Sequence, residues 1–229
     1  MVKAAALVAP SEPVHVVREG RRFVSRGGEK LDAALDRFRK NVAGARCLDA
    51  GSSTGGFTDC LLRRGAAHVI AVDVGYGQLA WRLREDPRVT VLERTNVRDL
   101  RLENLPYSPE LITVDLSFIS LRLAVPALAE LAGGEASMIL LVKPQFEAGP
   151  EHVGKGGVVR DPEVWVRALA QVSRACVDAG FGPVAATVSP LLGPAGNVEF
   201  FLHVKAGHAG IELDLGALAE EGEALRAAS

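Results

Sequence analysis

The sequence predicts an α/β fold: a seven-stranded, mostly parallel sheet with helices on both faces and an antiparallel edge. Three observations carry this. Strand-like and helix-like segments alternate through five strands. The runs "ITVDL" and "MILLV" are continuously apolar, as strands buried on both faces are. The last two strand-like runs, "GPVAATVSP" and "NVEFFLHVK", follow one another with no helical pattern between them, which puts an antiparallel pair at one edge.

The elements follow in order. "PVHVVREGRRFV" alternates weakly and reads as a linker or short strand. "SRGG", with Gly27 and Gly28, reads as a turn. Lys30 then opens a helix with apolar residues at Leu31, Ala34, Leu35 and Phe38, stopped by Gly44. "ARCLDAG" is a strand entering a glycine loop, and "GFTDCLLRRG" a short helix closed by Gly65. "HVIAVDVG" is a strand ending in an acid, "QLAWRLREDP" a helix ended by Pro87, and "RVTVLER" a strand. "PELITVDLSF" again ends in an acid. "LAVPALAELAGG" is a helix that Pro126 shortens or kinks. "ASMILLVKP" is an apolar strand, and Asp161 with Pro162 starts the next helix as cap and first residue. The chain divides into a linker or remnant of an earlier domain (1–24), one folded domain (25–208) and a largely acidic C-terminal tail (209–229).

Of 229 residues, 48% are hydrophobic and 24% charged, enough for a full core under a soluble surface. A net charge of -2 gives no global signature of a nucleic-acid binder, although the Arg-rich "REGRRFVSR" is a local basic patch able to hold phosphates. The three cysteines, Cys47, Cys60 and Cys176, form no C-x-x-C. That argues against a disulfide framework or a zinc site and suits a cytoplasmic protein, with Cys47 a small buried apolar residue. The longest apolar stretch, "SMILLV", is too short to span a bilayer, so no stable membrane insertion is expected.

The loop "LDAGSSTGGFTD" (48–59) is the most informative stretch. Gly51, Gly55 and Gly56 leave room for a ligand against the backbone, and the helix starting near Phe57 aims free N–H groups into the same space. The spacing fails the G-x-G-x-x-G of dinucleotide folds. Asp49 at the loop mouth repels a pyrophosphate but attracts a sulfonium or amino group, and Asp73 ends the next strand where it can accept from a ribose diol. Together these favour S-adenosylmethionine over a nicotinamide dinucleotide.

Four further ionisable residues stand out. Asp115 and Lys143 end neighbouring apolar strands, Glu199 lies in an apolar run on an edge strand and needs a cationic partner, and Lys30 sits where a helix dipole disfavours a cation. Taken singly, each also reads as structural: a lysine reaching from a strand end to solvent is as good an account of Lys143.

Seven blocks, "FVSRGGEKLDAAL", "LDAGSSTGGFTDCLL", "VDVGYGQL", "VDLSFISL", "LVKPQFE", "GKGGVVRDP" and "NVEFF", resemble in order the TlyA family. This is a branch of the FtsJ-like 2′-O-ribose methyltransferases, often called haemolysins. The resemblance implies a class I, Rossmann-like, S-adenosylmethionine-dependent methyltransferase domain acting on rRNA within ribosomal subunits. It implies a Lys–Asp–Lys–Glu tetrad of Lys30, Asp115, Lys143 and Glu199. The cofactor residues it implies are Asp49, Gly51, Ser53, Thr54, Gly55, Gly56 and Phe57, with Asp73 on the ribose and Asn96 and Val97 flanking the adenine. The family carries a small N-terminal RNA-binding domain, of which "MVKAAALVAPSEPVHVV" resembles only the last part and linker. "GPEHVGKGGVVRDP" reads as a glycine-rich loop near the site. Competing readings are a small-molecule methyltransferase on the same fold, a membrane-active haemolysin and a non-catalytic ribosome-binding module; the oligomeric state stays open.

Overall fold

The computed structural model describes residues 22–229. Residues 1–21, which hold nearly all of the expected linker or short strand and the Arg18 to Arg21 part of the basic stretch, lie outside the described residues.

Seven strands form one sheet: β1 (Arg46–Ala50), β2 (His68–Val72), β3 (Val89–Leu92), β4 (Leu111–Val114), β5 (Ser137–Val142), β6 (Phe181–Val188) and β7 (Phe200–Ala206). Their order is β3-β2-β1-β4-β5-β7-β6. The first five run parallel, and β7 runs antiparallel to both β5 and β6. The two final strands thus supply the antiparallel edge, with one refinement. Strand β7 is inserted between β5 and β6, so the strand following Glu199 is interior and the outermost strand is β6.

Among the described residues, seven α-helices flank the sheet: α1 (Arg26–Arg37), α2 (Gly56–Arg63), α3 (Trp81–Arg84), α4 (Leu121–Leu131), α5 (Pro144–Glu147), α6 (Pro162–Asp178) and α7 (Leu215–Ala227). One face packs Leu31, Leu35 and Leu61 of α1 and α2 onto Ile139 and Phe201. The other packs Leu128, Trp165 and Val172 of α4 and α6 onto Ile112, Leu140 and Phe200. Each such side chain, fully buried, contributes roughly 1.5–3 kcal/mol of hydrophobic stabilisation. Cys47 is wholly buried among them.

Several elements depart from the sequence reading. Helix α1 begins at Arg26, so Gly27 and Gly28 form its first turn and Lys30 stands inside it. The glycines serve packing there: a Cβ on Gly28 would lie 2.4 Å from the Phe23 side chain and 3.0 Å from the Gly56 carbonyl oxygen. The helix ends at Arg37, before Gly44. Helix α3 is a single turn, because "GYGQ" is spent in a bend before Trp81. Helix α4 continues through Pro126 to Leu131, where burial of Leu121, Val125, Leu128 and Leu131 outweighs one lost backbone hydrogen bond. Helix α6 starts as expected, with Asp161 accepting from the Glu163 amide. Residues 209–229, set apart above as a tail, carry α7, whose Gly222 packs against Trp165 and Phe200.

The strand order reverses between β1 and β4, where the carboxyl ends of an open parallel sheet leave a crevice. There the Asp115 amide donates to the Ala50 carbonyl (2.9 Å).

Candidate active site

Two adjoining cavities, about 650 and about 420 Å³, open over this crevice and share Gly51, Ser53, Asp115, Ser117 and Phe118. They make one trough with Asp115 on the divide.

The larger half collects four charged side chains through strand topology. Asp115 follows β4, and Lys143 follows its parallel neighbour β5. Val142 pairs with Phe200 across the β5–β7 ladder, so Lys143 and Glu199 flank that pair. Lys30 reaches in from α1. Lys143 Nζ lies 2.6 Å from Asp115 Oδ1 and donates to Ser117 Oγ at 2.9 Å. Lys30 Nζ lies 2.5 Å from Glu199 Oε2, with both side chains nearly sealed from solvent. Thr54, Gly56 and Phe57 line this half too. So do Gly156 and Gly157, which places the glycine-rich loop at the trough. Asn197 holds that loop, accepting from the Val159 amide and donating to the Gly157 carbonyl (both 2.9 Å).

The smaller half is lined by Asp73, Asn96 and Val97 with Val72, Leu116 and Ile119. Asp73 accepts from the backbone amides of Ser53 and Gly75, each at 2.7 Å. Asn96 spends its side-chain oxygen capping the turn Val97–Asp99, accepting from the Arg98 amide.

Two expected cofactor residues are not brought to the trough. Asp49 is 0% exposed and lines neither cavity. It lies within β1 rather than past its end, so its carboxylate points beneath α2 and accepts from Thr58 Oγ1 (2.7 Å) and Thr113 Oγ1 (3.3 Å). Burial pushes its pKa up to about 7, opposed by the Thr58 hydrogen bond and reinforced by the charge of Asp115. Gly55 also lies off the cavity, where a Cβ would meet the Leu83 side chain at 2.3 Å. Gly51 does line both halves. Its φ of 86° suits glycine, and a Cβ there would sit 2.4 Å from the Asp115 carbonyl oxygen. The loop glycines therefore let chain approach chain, and Gly51 and Gly56 also line the cavity.

Ser117, Phe118, Gln145 and Phe146 line the trough and were not foreseen. Phe118 is 91% exposed with a left-handed φ of 62°, and its ring lies 5.3 Å from that of Phe146. "SFIS" after a strand-terminal acid marks a loop at the sheet edge; nothing in it separates an exposed Phe from a core one. Among the described residues no His/Cys/Asp/Glu group has the arrangement of a metal site, and no helix is long and apolar enough to cross a membrane.

A parallel sheet with a nucleoside-sized trough at its switch point, an acid past β2 and no dinucleotide glycine pattern defines a class I methyltransferase fold. A Mesorhizobium loti S-adenosylmethionine-dependent methyltransferase shares that fold (TM-score 0.56, 13% identity, 76% of this chain and 96% of that one). Residues 23–206 match the FtsJ-like methyltransferase family, and the chain belongs to it. It is 53% identical over 205 residues to the Mycobacterium tuberculosis "16S/23S rRNA (cytidine-2'-O)-methyltransferase TlyA", covering 89% of this chain and 76% of that protein. The crystal structure of a Lactococcus lactis protein described as a hemolysin superposes with a TM-score of 0.86 at 43% identity, covering 89% of this chain and 99% of that one. This places the chain in the TlyA branch.

Proposed function

We propose that the chain methylates the ribose 2′-hydroxyl of a cytidine in rRNA, with ribosomal subunits as substrate and S-adenosylmethionine as methyl donor. The observation that carries this is Lys143, which lines the larger half and is held by Asp115 and Ser117, two residues on the divide between the halves.

The smaller half suits the adenosine part of the cofactor. Asp73, already oriented by two backbone amides, retains lone pairs for the ribose diol. Val72, Val97, Leu116 and Ile119 offer apolar surface to the adenine, with Asn96 beside it. Gly51 and Ser53 lie where the two halves meet. Bound there, S-adenosylmethionine supplies an electrophilic methyl group.

The chain's own residues prepare the acceptor. A ribose hydroxyl is a poor nucleophile at neutral pH. Its proton passes to solvent water as the oxygen–methyl bond forms and the methyl–sulfur bond breaks, and negative charge develops on the oxygen as the proton leaves. The Lys143 ammonium holds that oxygen and stabilises the charge. Asp115 and Ser117 fix the ammonium so that little reorganisation is needed. The Lys30–Glu199 pair ties α1 to the start of β7 and closes the wall behind. Phe118 offers an exposed ring for stacking of the unpaired base.

The test is Lys143→Ala with labelled cofactor and unmethylated ribosomal subunits, alongside calorimetric titration of S-adenosylmethionine. Transfer falls about 100- to 1000-fold while cofactor affinity holds. A variant methylating at the wild-type rate removes Lys143 from this role.

A further inference from the structure

Glu147 belongs to neither half of the trough, yet it is a deeply buried charge: its side chain is 1% exposed. Its Oε2 accepts from Ser120 Oγ (2.5 Å) and, at 3.4 Å, from Arg122 Nε. Its Oε1 accepts from the Leu121 amide (2.6 Å). The donors are the N-cap and the first two residues of α4, where the segment from β4 enters the helix, whereas Glu147 closes the short helix after β5.

Those segments are the two that meet at the reaction centre. Segment 115–121 carries Asp115, Ser117 and Phe118; segment 143–147 carries Lys143 and Phe146. They touch at three successive places. Lys143 grips Asp115 and Ser117 at one end, the rings of Phe118 and Phe146 meet in the middle, and Glu147 grips Ser120 and Leu121 at the other end. The last contact lines neither half of the trough and its carboxylate is buried, so it can hold the segments in register whatever enters the site. A carboxylate suits this because it accepts from several donors at once; a neutral amide has one accepting oxygen and would turn its N–H groups against a donor.

We infer that Glu147 is a positioning residue for the transfer reaction: it locks the β4–α4 segment to the β5–α5 segment and so sets the place of Lys143 against Asp115 and Ser117. The inference rests on the assignment of Lys143 above.

The test is Glu147→Gln in the full chain, with Ser120→Ala, which removes one donor and keeps the carboxylate, as a milder second variant. Two readouts are taken. In methyl transfer to ribosomal subunits, kcat of Glu147→Gln falls about 10- to 100-fold while the S-adenosylmethionine dissociation constant stays within about twofold. In competitive acetylation of lysines read by mass spectrometry, the reactivity of Lys143 relative to exposed Lys155 changes several-fold. Ser120→Ala moves both readouts the same way by less. Unchanged kcat and unchanged Lys143 reactivity overturn the inference. So does a parallel loss of cofactor binding, kcat and melting temperature, which marks a purely structural role. If Glu147→Gln does not fold, Ser120→Ala decides by the same two readouts. A wild-type chain without rRNA transfer sinks the proposed function, and the acetylation comparison still tests Glu147.

Discussion

The two halves of the trough handle carboxylates in opposite ways. In the larger half both acids of the charged cluster face a lysine: Glu199 faces Lys30, and Asp115 faces Lys143. In and beneath the smaller half, Asp73 is held by backbone amides and Asp49 by two threonine hydroxyls. Charges held by charges are rigid and mutually dependent. A carboxylate held by neutral donors stays open to a ligand if it lines the trough, as at Asp73. If nothing reaches it, as at Asp49, it tends to give up its negative charge. The same residue type therefore serves as a partner, a ligand acceptor or a silent buried acid, depending on what surrounds it.

The strongest way to break this contrast is Glu199→Ala. It strands Lys30 in a pocket where both side chains are nearly sealed. Breaking a buried pair from one side costs about 3–5 kcal/mol, read as a lowered urea midpoint at pH 7. Replacing both partners with apolar residues, Lys30→Met with Glu199→Leu, recovers most of that stability, because no charge is left unpaired. Asp115→Asn sharpens the point. Asp115 is 27% exposed where Glu199 is 1%. Lys143, as enclosed as Lys30, keeps the Ser117 hydroxyl and the new amide oxygen as acceptors, so stability drops less than for Glu199→Ala, by roughly 1 kcal/mol. Transfer still falls. Equal stability losses at Glu199 and Asp115 would erase the distinction.

Asp49 supplies the next effect, and it depends on pH. Its folded pKa of about 7 lies above the ordinary 3.8, so the folded chain retains a proton that the unfolded chain gives up in between. Its stability contribution is complete below about pH 3.8, declines as pH rises through the window, and is gone above about 7. Asparagine does not titrate. The stability of Asp49→Asn relative to wild type therefore climbs across that window by at most ~1.4 kcal/mol per pH unit, then levels off. Urea denaturation of both proteins at pH 5 and pH 8 measures it. A difference that does not change between those pH values means the carboxylate is not silenced by burial.

The contrast also explains what was legible in the sequence. The parallel part of the sheet was, since "ITVDL" and "MILLV" need apolar cover on both faces. The insertion of β7 between β5 and β6 was not, because strand order within a terminal hairpin leaves no mark on the apolar pattern of either strand. Gly27 and Gly28 read as a turn because glycine disfavours helix, and close packing against Phe23 and Gly56 overrode that propensity. Asp49 and Asp73 looked alike as acids at strand ends. Two residues of register separate them: Asp49 pairs with Ala71 inside β1 and bonds Thr58 of α2, whereas Asp73 is just past β2 and lines the trough. Phe118 left no signal, since its exposure follows from a left-handed turn at a residue type usually buried.

The smallest effect discriminates most finely. Asp73→Asn keeps shape but loses the charge and turns an N–H group toward an oxygen's former donors. Affinity for S-adenosylmethionine should weaken about tenfold, or ~1.4 kcal/mol, by calorimetry. At saturating cofactor the transfer rate should stay near wild type, because Asp73 lies in the half away from Lys143 and Glu199. This is the inverse of Lys143→Ala, which loses rate and keeps affinity. If Asp73→Asn instead lost rate at saturation with unchanged affinity, its carboxylate would be acting on the reacting atoms, and the division of the trough into a holding half and a reacting half would be wrong.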